Sequence, residues 1–424
     1  MINKYKKILK NEDSRVITVN FSYLFLLQIA SYLFPLVTMP YLARVIGAEG
    51  FGHIAIASAV IMWIQTISDW GFNYTATRDV AKNRDDKDKV SHILSNVIWA
   101  KFILLFLSFV ILLLLIYFVP IFGENYLVIL ITFLMVPGHI LFPDWFFQAL
   151  ERMKYITILN LLSKLLFTIA IFVFIKEKTD YIYQPLFVSL GFILSGIISL
   201  YYIFVKWEYK FYKPELKSIF ITIKGSTNVF INNIAPNLYN SFSVVLLGIY
   251  STSIQNGIYD AGKKFTTIIY NFMNIFTRVF FPYFSRKSQG YKVYAISSIL
   301  LSVFLVALII ILAPFLINIF FGSEFADSVV ILRITAVSLI FLMIDSVFGI
   351  NYLLVKGYDK ILRNITIVSS IIGFILAFPL VKYYEAIGVA IVFSLVSCLS
   401  GMGTLFMFYK INTNGLKGSI KKNK

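Results

Sequence analysis

Apolar residues arrive in this chain in blocks of about twenty, and short stretches with charges and glycines separate the blocks. A helix needs about 20 residues to cross a hydrocarbon core of roughly 30 Å, so each block has the length of one span. The blocks do not alternate apolar and polar residues, and an open sheet in lipid would leave backbone groups unpaired. With 59% hydrophobic and 14% charged residues, the composition also excludes an ordinary soluble domain. The sequence therefore predicts an all-α integral membrane protein with about twelve transmembrane helices.

A polar stretch near the middle of the chain, residues 206–225, divides the predicted spans six and six. The spans comprise residues 17–39, 50–69, 97–118, 125–147, 157–175, 185–205, 226–249, 263–284, 294–320, 329–350, 364–381 and 386–409. The halves echo one another where the second and eighth spans begin, with GFGHIA from residue 50 and GIYDAG from residue 257. Six plus six spans with matching positions are typical of transporters built from parallel repeats. We expect an N-terminal six-helix bundle (1–205), a cytoplasmic linker (206–225) and a C-terminal six-helix bundle (226–424).

The formal charge of +17 indicates an orientation in the membrane rather than a nucleic-acid partner. Most of the 38 Lys and Arg residues lie in the two tails and in alternate loops, which the positive-inside rule places in the cytoplasm. Both termini are therefore expected in the cytoplasm. The first apolar block is too long for a cleaved signal sequence, so we expect it to remain as the first span.

Motifs for cofactor or metal chemistry are absent from the sequence. No phosphate-binding P-loop, dinucleotide fingerprint or HExxH pattern occurs, so ATP-driven transport within this chain and a bound cofactor are not expected. The three histidines, His53, His92 and His139, are far apart without partners at ligand spacing, so no metal site is expected either. The lone cysteine, Cys398, rules out an intrachain disulfide. The predicted loops leave no room for a soluble catalytic domain, and the protein is not expected to be an enzyme.

The predicted eighth span carries a polar stripe along almost its full length. At 100° per residue its polar side chains fall within about 100° of arc. They are Asp260, Lys263, Lys264, Thr267, Asn271, Asn274 and Arg278. Such a stripe is explained either by hydrogen bonds buried between helices or by a water-filled cavity. The cavity is favoured because cations stand at both ends of the stripe.

Other predicted spans carry polar groups as well. In the first span these are Asn20, Gln28, Ser31 and Thr38, in the fifth Asn160, Lys164 and Thr168, and in the seventh Asn228, Asn232, Asn233, Asn237 and Asn240. Pro236 removes a backbone donor and is expected to kink the seventh span. Pro35 and Pro40 indicate similar kinks in or after the first span, as gates or as simple packing features.

A lumen lined by Lys, Arg, Asn and Tyr suits an anionic, hydroxyl-rich ligand, because cations attract phosphate and amides bind sugars. The substrate-binding candidates are Arg278, Asn274, Asn271, Lys264, Lys263, Asn237, Asn233, Lys164 and Arg44. The candidates for ion coupling or gating are Asp69, Asp144, Asp345 and Asp260. Lys101 and Arg333 are interpreted instead as side chains that extend toward the membrane surface.

Four stretches of sequence resemble a known family. FPLVTMPYLARVIGAEGFG at residues 34–52 resembles the opening of the O-antigen and capsular polysaccharide repeat-unit flippases, the polysaccharide transporters of the MOP exporter superfamily. The stretch DWGF from residue 69, continuing to RDVA from residue 78, the stretch PDWFFQALE from residue 143, and GIY from residue 257 are similar to the same family. Arg44, Asp69, Arg78, Asp144 and Glu151 lie within these motifs.

The resemblance implies a MATE-like, V-shaped pair of six-helix bundles around a cationic central cavity. It implies a flippase in the bacterial cytoplasmic membrane that moves an undecaprenyl-diphosphate-linked oligosaccharide between leaflets by alternating access. The implied partners are this lipid-linked oligosaccharide, the bilayer and other polysaccharide assembly proteins. The sugars and any coupling ion are not specified by these residues.

Three other functions remain open at this point. One is another exporter of the same superfamily, for drugs, teichoic-type polymers or a lipid-linked peptidoglycan precursor. Another is a membrane polysaccharide polymerase, ligase or glycosyltransferase, which would need catalytic residues on a sizeable outward loop. The third is a purely structural membrane scaffold, although a scaffold would not explain the polar stripes.

Overall fold

The chain folds as a succession of α-helices in the computed structural model, which describes residues 12–286 and 289–422. It does not describe the side chains of residues 12–18, 20, 21, 24, 275, 276, 278, 279, 281–283, 285, 286 and 414–422. The helices are α1 Glu12–Asp69, α2 Phe72–Lys82, α3 Lys87–Phe118, α4 Pro120–Glu124, α5 Tyr126–Phe133, α6 Met135–Leu141, α7 Asp144–Ala149, α8 Met153–Phe174, α9 Tyr183–Leu200, α10 Leu216–Ile234, α11 Ser241–Tyr250, α12 Ser253–Arg286, α13 Tyr291–Phe320, α14 Ser328–Ile344 and α15 Asp359–Lys422. Short 3₁₀ turns and two π-helical segments, Tyr201–Lys206 and Asp345–Leu354, join some of them. The described residues contain no β-strand.

Two very long helices each contain a break. In α1 the break is at Gly47, with φ 64° and ψ −175°, and in α15 it is at Glu385, with φ 47° and ψ −127°. Each of these helices therefore covers two predicted spans. Within the described residues, eight helical stretches are long and apolar enough to cross a membrane. The prediction of an all-α membrane protein is confirmed.

The predicted seventh and eighth spans are helical but are not among those eight stretches. The seventh is divided into α10 and α11 by a 3₁₀ turn, Ala235–Leu238, which contains Pro236. The interruption predicted from this proline is therefore present. The eighth lies within α12, whose polar side chains lower its hydropathy.

The chain forms two compact units. The first contains the described residues up to Ile46 together with Val60–Ile234, and the second contains Gly47–Ala59 and the residues from Ala235 onward. These units differ from the expected bundles at residues 47–59 and 206–234, and the expected domain boundaries stay a prediction. Residues 47–59 join the second unit because they pack tightly against the start of α12.

The core of the first unit is rich in aromatic side chains. Trp145, Phe146 and Phe147 of α7 are at most 2% exposed and belong to one apolar cluster with side chains of α2 and α3. Within the same unit α9 packs against α6 and α8, and α10 packs against α3. These aromatic residues lie within the stretch PDWFFQALE that carries the family resemblance, which indicates that the stretch builds the core of this unit.

The non-helical segment 207–215 contacts the first turns of α3. Ser91 and Ser95 lie one helical turn apart, and their hydroxyl oxygens accept hydrogen bonds from the backbone N–H groups of Lys210 and Tyr212, at 3.1 and 2.9 Å. The Tyr212 ring stacks on His92 with 3.8 Å between centroids, and its hydroxyl donates to the Asp88 carboxylate. This bond raises the pKa of Tyr212 above its usual value. The non-helical segment 207–215 is therefore fixed to α3 by polar contacts.

In the second unit, α14 packs against α12, α13 and α15, and α11 packs against α15. Gly47 supplies the positive φ at which the second half of α1 begins, and the next N–H, of Ala48, donates to Glu324 Oε1 at 3.1 Å. Glu324 thus satisfies one of the unpaired donors at that helix start. The position of Glu324 in the short turn after α13 makes this a long-range contact within the unit.

Candidate functional site: polar groups within the spans

The polar stripe of the predicted eighth span lies on one uninterrupted helix, α12, so its residues keep the expected helical spacing. Thr267 is exposed, and Asn271 and Asn274 are half-buried. The side chain of Arg278 lies outside the described residues. The structure therefore describes most of the stripe but not the arginine predicted at its end.

Of the two lysines of the stripe, Lys263 has the larger number of polar and aromatic neighbours. Its Nζ donates to Asn240 Oδ1 at 3.1 Å and lies 4.3 Å from the ring centroid of Phe393. The ring of Tyr259 is 5.4 Å away on the same helix. A lysine ammonium has three N–H donors, so this arrangement leaves capacity for anionic oxygens while ring faces stabilise the charge.

The other two charged residues near the start of α12 form a pair. Lys264 Nζ lies 3.5 Å from Asp260 Oδ2, at i,i+4 spacing on the helix. Both side chains are a little over one-third exposed. An accessible pair of this kind contributes about 0–1 kcal/mol to stability, so its atoms exchange partners readily.

Two predicted amides flank the break in the seventh span. Asn237 is buried within the second unit, in the 3₁₀ turn, whereas Asn233 is exposed at the end of α10. Because the α-helix is interrupted by this 3₁₀ turn, α-helical spacing does not apply between the two positions. Asn240, just after the turn, is the amide that contacts Lys263.

In the first unit, the polar residues of the predicted first and fifth spans meet. Lys164 Nζ of α8 donates to Ser31 Oγ of α1 at 2.7 Å, and Ser31 in turn donates to the backbone oxygen of Leu27 at 2.7 Å. Arg44, also predicted as a substrate contact, is exposed on α1. Sequence spacing alone did not relate α1 to α8.

The first unit contains an ion pair between a buried lysine and a partly buried aspartate. Lys101 Nζ lies 2.7 Å from Asp69 Oδ1 and 3.5 Å from Asn73 Oδ1, and the Lys101 side chain is 4% exposed. Asp144 and His139 lie within electrostatic range of this pair. The interpretation of Lys101 as a side chain extending to the membrane surface was wrong, because the carboxylate of Asp69 holds it inside the unit.

Asp345 stands at the start of the π-helical segment that follows α14. Its Oδ1 accepts a hydrogen bond from Ser400 Oγ of α15 at 3.2 Å. π-Helical turns widen a helix locally and occur often at functional sites. Asp345 is an ion-coupling or gating candidate from the sequence, but no sequence pattern predicts the π-helical geometry or the contact with Ser400. Among the described residues no group of three His, Cys, Asp or Glu side chains is arranged to hold a metal ion.

Comparison with known proteins assigns this chain to a family. The family model described as "Polysaccharide biosynthesis protein" matches residues 17–288, more than half of the chain. A relative from Escherichia coli (strain K12), named "Putative O-antigen transporter", is 28% identical over 401 residues, which covers 93% of this chain and 96% of the relative. A protein of the same name from Shigella dysenteriae is 29% identical over 378 residues, covering 88% and 95%.

Solved structures share the fold. The lipid II flippase MurJ, in an inward closed conformation, aligns with a TM-score of 0.74 at 16% identity and covers 92% of this chain and 91% of its own. A eukaryotic MATE transporter aligns with a TM-score of 0.57 at 14% identity and covers 95% of each chain.

The apolar helices and the fold shared with these transporters together define a multi-pass membrane protein. The chain belongs to the polysaccharide biosynthesis protein family. The resemblance carried by the four sequence motifs is thereby confirmed.

Proposed function

We propose that the protein is a flippase for undecaprenyl-diphosphate-linked oligosaccharide repeat units, of O-antigen or capsule type. The observation that carries this proposal is the near full-length similarity to two proteins named as O-antigen transporters. The environment of Lys263, among an amide and aromatic rings, adds chemical support, since it suits a phosphorylated, hydroxyl-rich ligand.

The proposed mechanism is charge screening combined with alternating access. A sugar diphosphate does not enter hydrocarbon, because even one charged side chain at mid-bilayer costs about 2.5–3.5 kcal/mol on insertion scales. Cations of α12, with Lys263 foremost, hold the diphosphate by charge-assisted hydrogen bonds, while amides such as Asn271 and Asn274 bind hydroxyl groups of the glycan. The polyprenyl tail stays in lipid throughout. No covalent bond forms or breaks, so the protein acts as a transporter and not as an enzyme.

The proposed setting is the bacterial cytoplasmic membrane, with both termini in the cytoplasm. The distribution of Lys and Arg over tails and alternate loops supports this orientation. Substrate would then enter from the leaflet on which lipid-linked sugars are assembled and leave on the opposite face. The carboxylates Asp69, Asp144, Asp260 and Asp345 are candidates for ion coupling or gating.

Deletion of the gene tests this proposal in cells. The expected result is that lipid-linked repeat units accumulate on the cytoplasmic side and that surface glycan is lost, with both defects reversed by the wild-type gene. If surface glycan is unchanged while lipid-linked peptidoglycan precursor accumulates inside, the substrate class is wrong and the precursor exporter is favoured. A normal distribution of both lipids would remove the flippase proposal altogether.

A further inference from the structure

A pocket of about 370 Å³ lies within the second unit. Its wall is formed by Phe284 near the end of α12, by the start of α13, by the end of the π-helical segment after α14, and by α15 at Phe408 and Asn412. The proposed transport mechanism makes no use of this pocket. The chemistry of its wall nevertheless indicates a specific kind of ligand.

Two lysines line the pocket. Lys292 lies in the first turn of α13 and is exposed, and Lys356 follows the π-helical segment. Lys356 Nζ donates to Tyr352 Oη at 2.9 Å and lies 4.2 Å from the centroid of that ring. Among the described residues no carboxylate lines the pocket, and neither lysine forms an ion pair with any of them. The pocket therefore carries an uncompensated positive charge that attracts an anion.

An aromatic wall stands beside the lysines. The rings of Tyr291, Tyr352 and Phe408 contact one another, with centroids 4.6 to 6.3 Å apart. The Tyr291 hydroxyl donates to the Val347 backbone oxygen at 2.9 Å, and the Tyr352 hydroxyl to Asn412 Oδ1 at 2.6 Å. Because both hydroxyl groups are bound to protein, the rings are fixed in orientation. A fixed aromatic surface suits the apolar face of a sugar or of a glycerol unit.

A buried acceptor that receives no hydrogen bond from any described residue also lines the pocket. Asn351 lines the pocket and is 1% exposed, and its Nδ2 donates to Tyr294 Oη at 2.6 Å and to the Thr277 backbone oxygen at 3.2 Å. No described residue donates to its Oδ1. A buried acceptor left in this way carries a desolvation cost that a ligand hydroxyl group would remove.

We propose that this pocket binds a hydroxyl-bearing phosphate ester, of the glycerophosphate or sugar-phosphate kind. The phosphate lies between Lys292 and Lys356, the carbon skeleton lies on the wall formed by Tyr352 and Phe408, and a hydroxyl group donates to Asn351 Oδ1. The headgroup of an anionic phospholipid and a soluble phosphate ester share this chemistry. The proposal does not depend on what the protein transports.

Binding to the full-length, detergent-purified protein tests the proposal with two probes. Native mass spectrometry counts bound phosphatidylglycerol against phosphatidylcholine, and calorimetric titration compares glycerol 3-phosphate with inorganic phosphate. The test variant is Lys292→Gln/Lys356→Gln. The matched control is Lys360→Gln/Lys410→Gln, which removes the same charge from exposed lysines that do not line the pocket.

The expected result is that at least one ester binds the wild type and the control, and that the test variant binds it at least about tenfold more weakly. If the test variant binds phosphatidylglycerol more weakly, the ligand is a lipid headgroup. If it binds glycerol 3-phosphate more weakly, the ligand is a soluble ester. Glycerol 3-phosphate should also bind more tightly than inorganic phosphate if Asn351 accepts a hydroxyl group. Equal weakening in test and control variants, or no selective binding of either ester, would overturn the proposal.

Discussion

Gly52 lies so close to Ser253 that a Cβ atom added to the glycine would stand 1.6 Å from the Ser253 carbonyl oxygen. The contact is reciprocal, because a Cβ on Gly257 would stand 2.0 Å from the carbonyl oxygen of Ala48. Each helix thus presents a small residue and, four positions later, a glycine to its partner, which is the spacing that lets membrane helices approach closely. The helix segments 48–52 and 253–257, at the starts of the two sequence echoes, therefore pack directly against each other inside the second unit.

The variant Gly52→Ala should destabilise the protein by about 1–3 kcal/mol or more, because the added methyl group meets backbone atoms that cannot rotate away. The measurements are the thermal unfolding midpoint and the monodisperse yield in detergent. The control is Gly225→Ala in α10, where a Cβ would meet nothing within 4 Å. Alanine there should be neutral or stabilising by up to about 1 kcal/mol. Equal stability of the two variants would mean that the helices at Gly52 and Ser253 are not in close backbone contact.

The buried pair of Asp69 and Lys101 should be sensitive to loss of one partner. Asp69→Asn leaves a lysine that is 4% exposed without its counter-charge, and the expected destabilisation is about 3–5 kcal/mol. Replacing both, in Asp69→Asn/Lys101→Met, should recover part of that loss. Glu208→Gln, which breaks an exposed pair with Lys87, should cost less than about 1 kcal/mol and serves as the control. Chemical unfolding in detergent compares the variants, and an Asp69→Asn effect no larger than the control contradicts the account.

Most of the spans and the interruption of the seventh could be predicted from the sequence, because apolar block length and a proline act locally. The position of Lys101 could not, since it depends on the distant carboxylate of Asp69 rather than on its own neighbours. The same holds for Lys164 and Ser31, whose contact joins two spans 133 residues apart in sequence. The sequence pattern identified which residues are polar and which helix bears them, but helix packing decides which of them meet.

The stability of the folded protein should depend on pH in the alkaline range, because Tyr212 of segment 207–215 is hydrogen-bonded to Asp88. The hydrogen bond to Asp88 raises the pKa of Tyr212, so the folded protein favours the neutral phenol. The stabilisation from this bond is complete below the unfolded pKa of about 10 and is lost as the pH rises through the raised folded value. Wild type should therefore melt above Tyr212→Phe at pH 7 to 9, and the difference should shrink above about pH 10. Tyr117→Phe, at an 82% exposed ring, is the control. A wild-type advantage that persists unchanged to pH 11 would rule out this role for the bond.

Charge at position 263 should matter for transport. Lys263→Gln keeps a side chain able to donate to Asn240 but removes the ammonium, so restoration of surface glycan in a deletion strain should fall at least about tenfold. Lys263→Arg keeps the charge and should retain more activity. Arg333→Gln removes an exposed cation of α14 that bonds only to the Ile310 backbone oxygen among described residues, and it should behave as wild type. Full activity of Lys263→Gln at normal expression would exclude the lysine from substrate binding.

Flipping in reconstituted vesicles is the most direct measurement of the proposed function. Purified protein is incorporated with a polyprenyl-diphosphate-linked oligosaccharide, and a membrane-impermeant reagent reports how fast inner-leaflet sugar becomes accessible outside. Rapid exposure is expected with wild type, and slow exposure with Lys263→Gln and with protein-free vesicles. Exposure by wild type no faster than in protein-free vesicles, from protein that is folded and monodisperse, would contradict the proposed function.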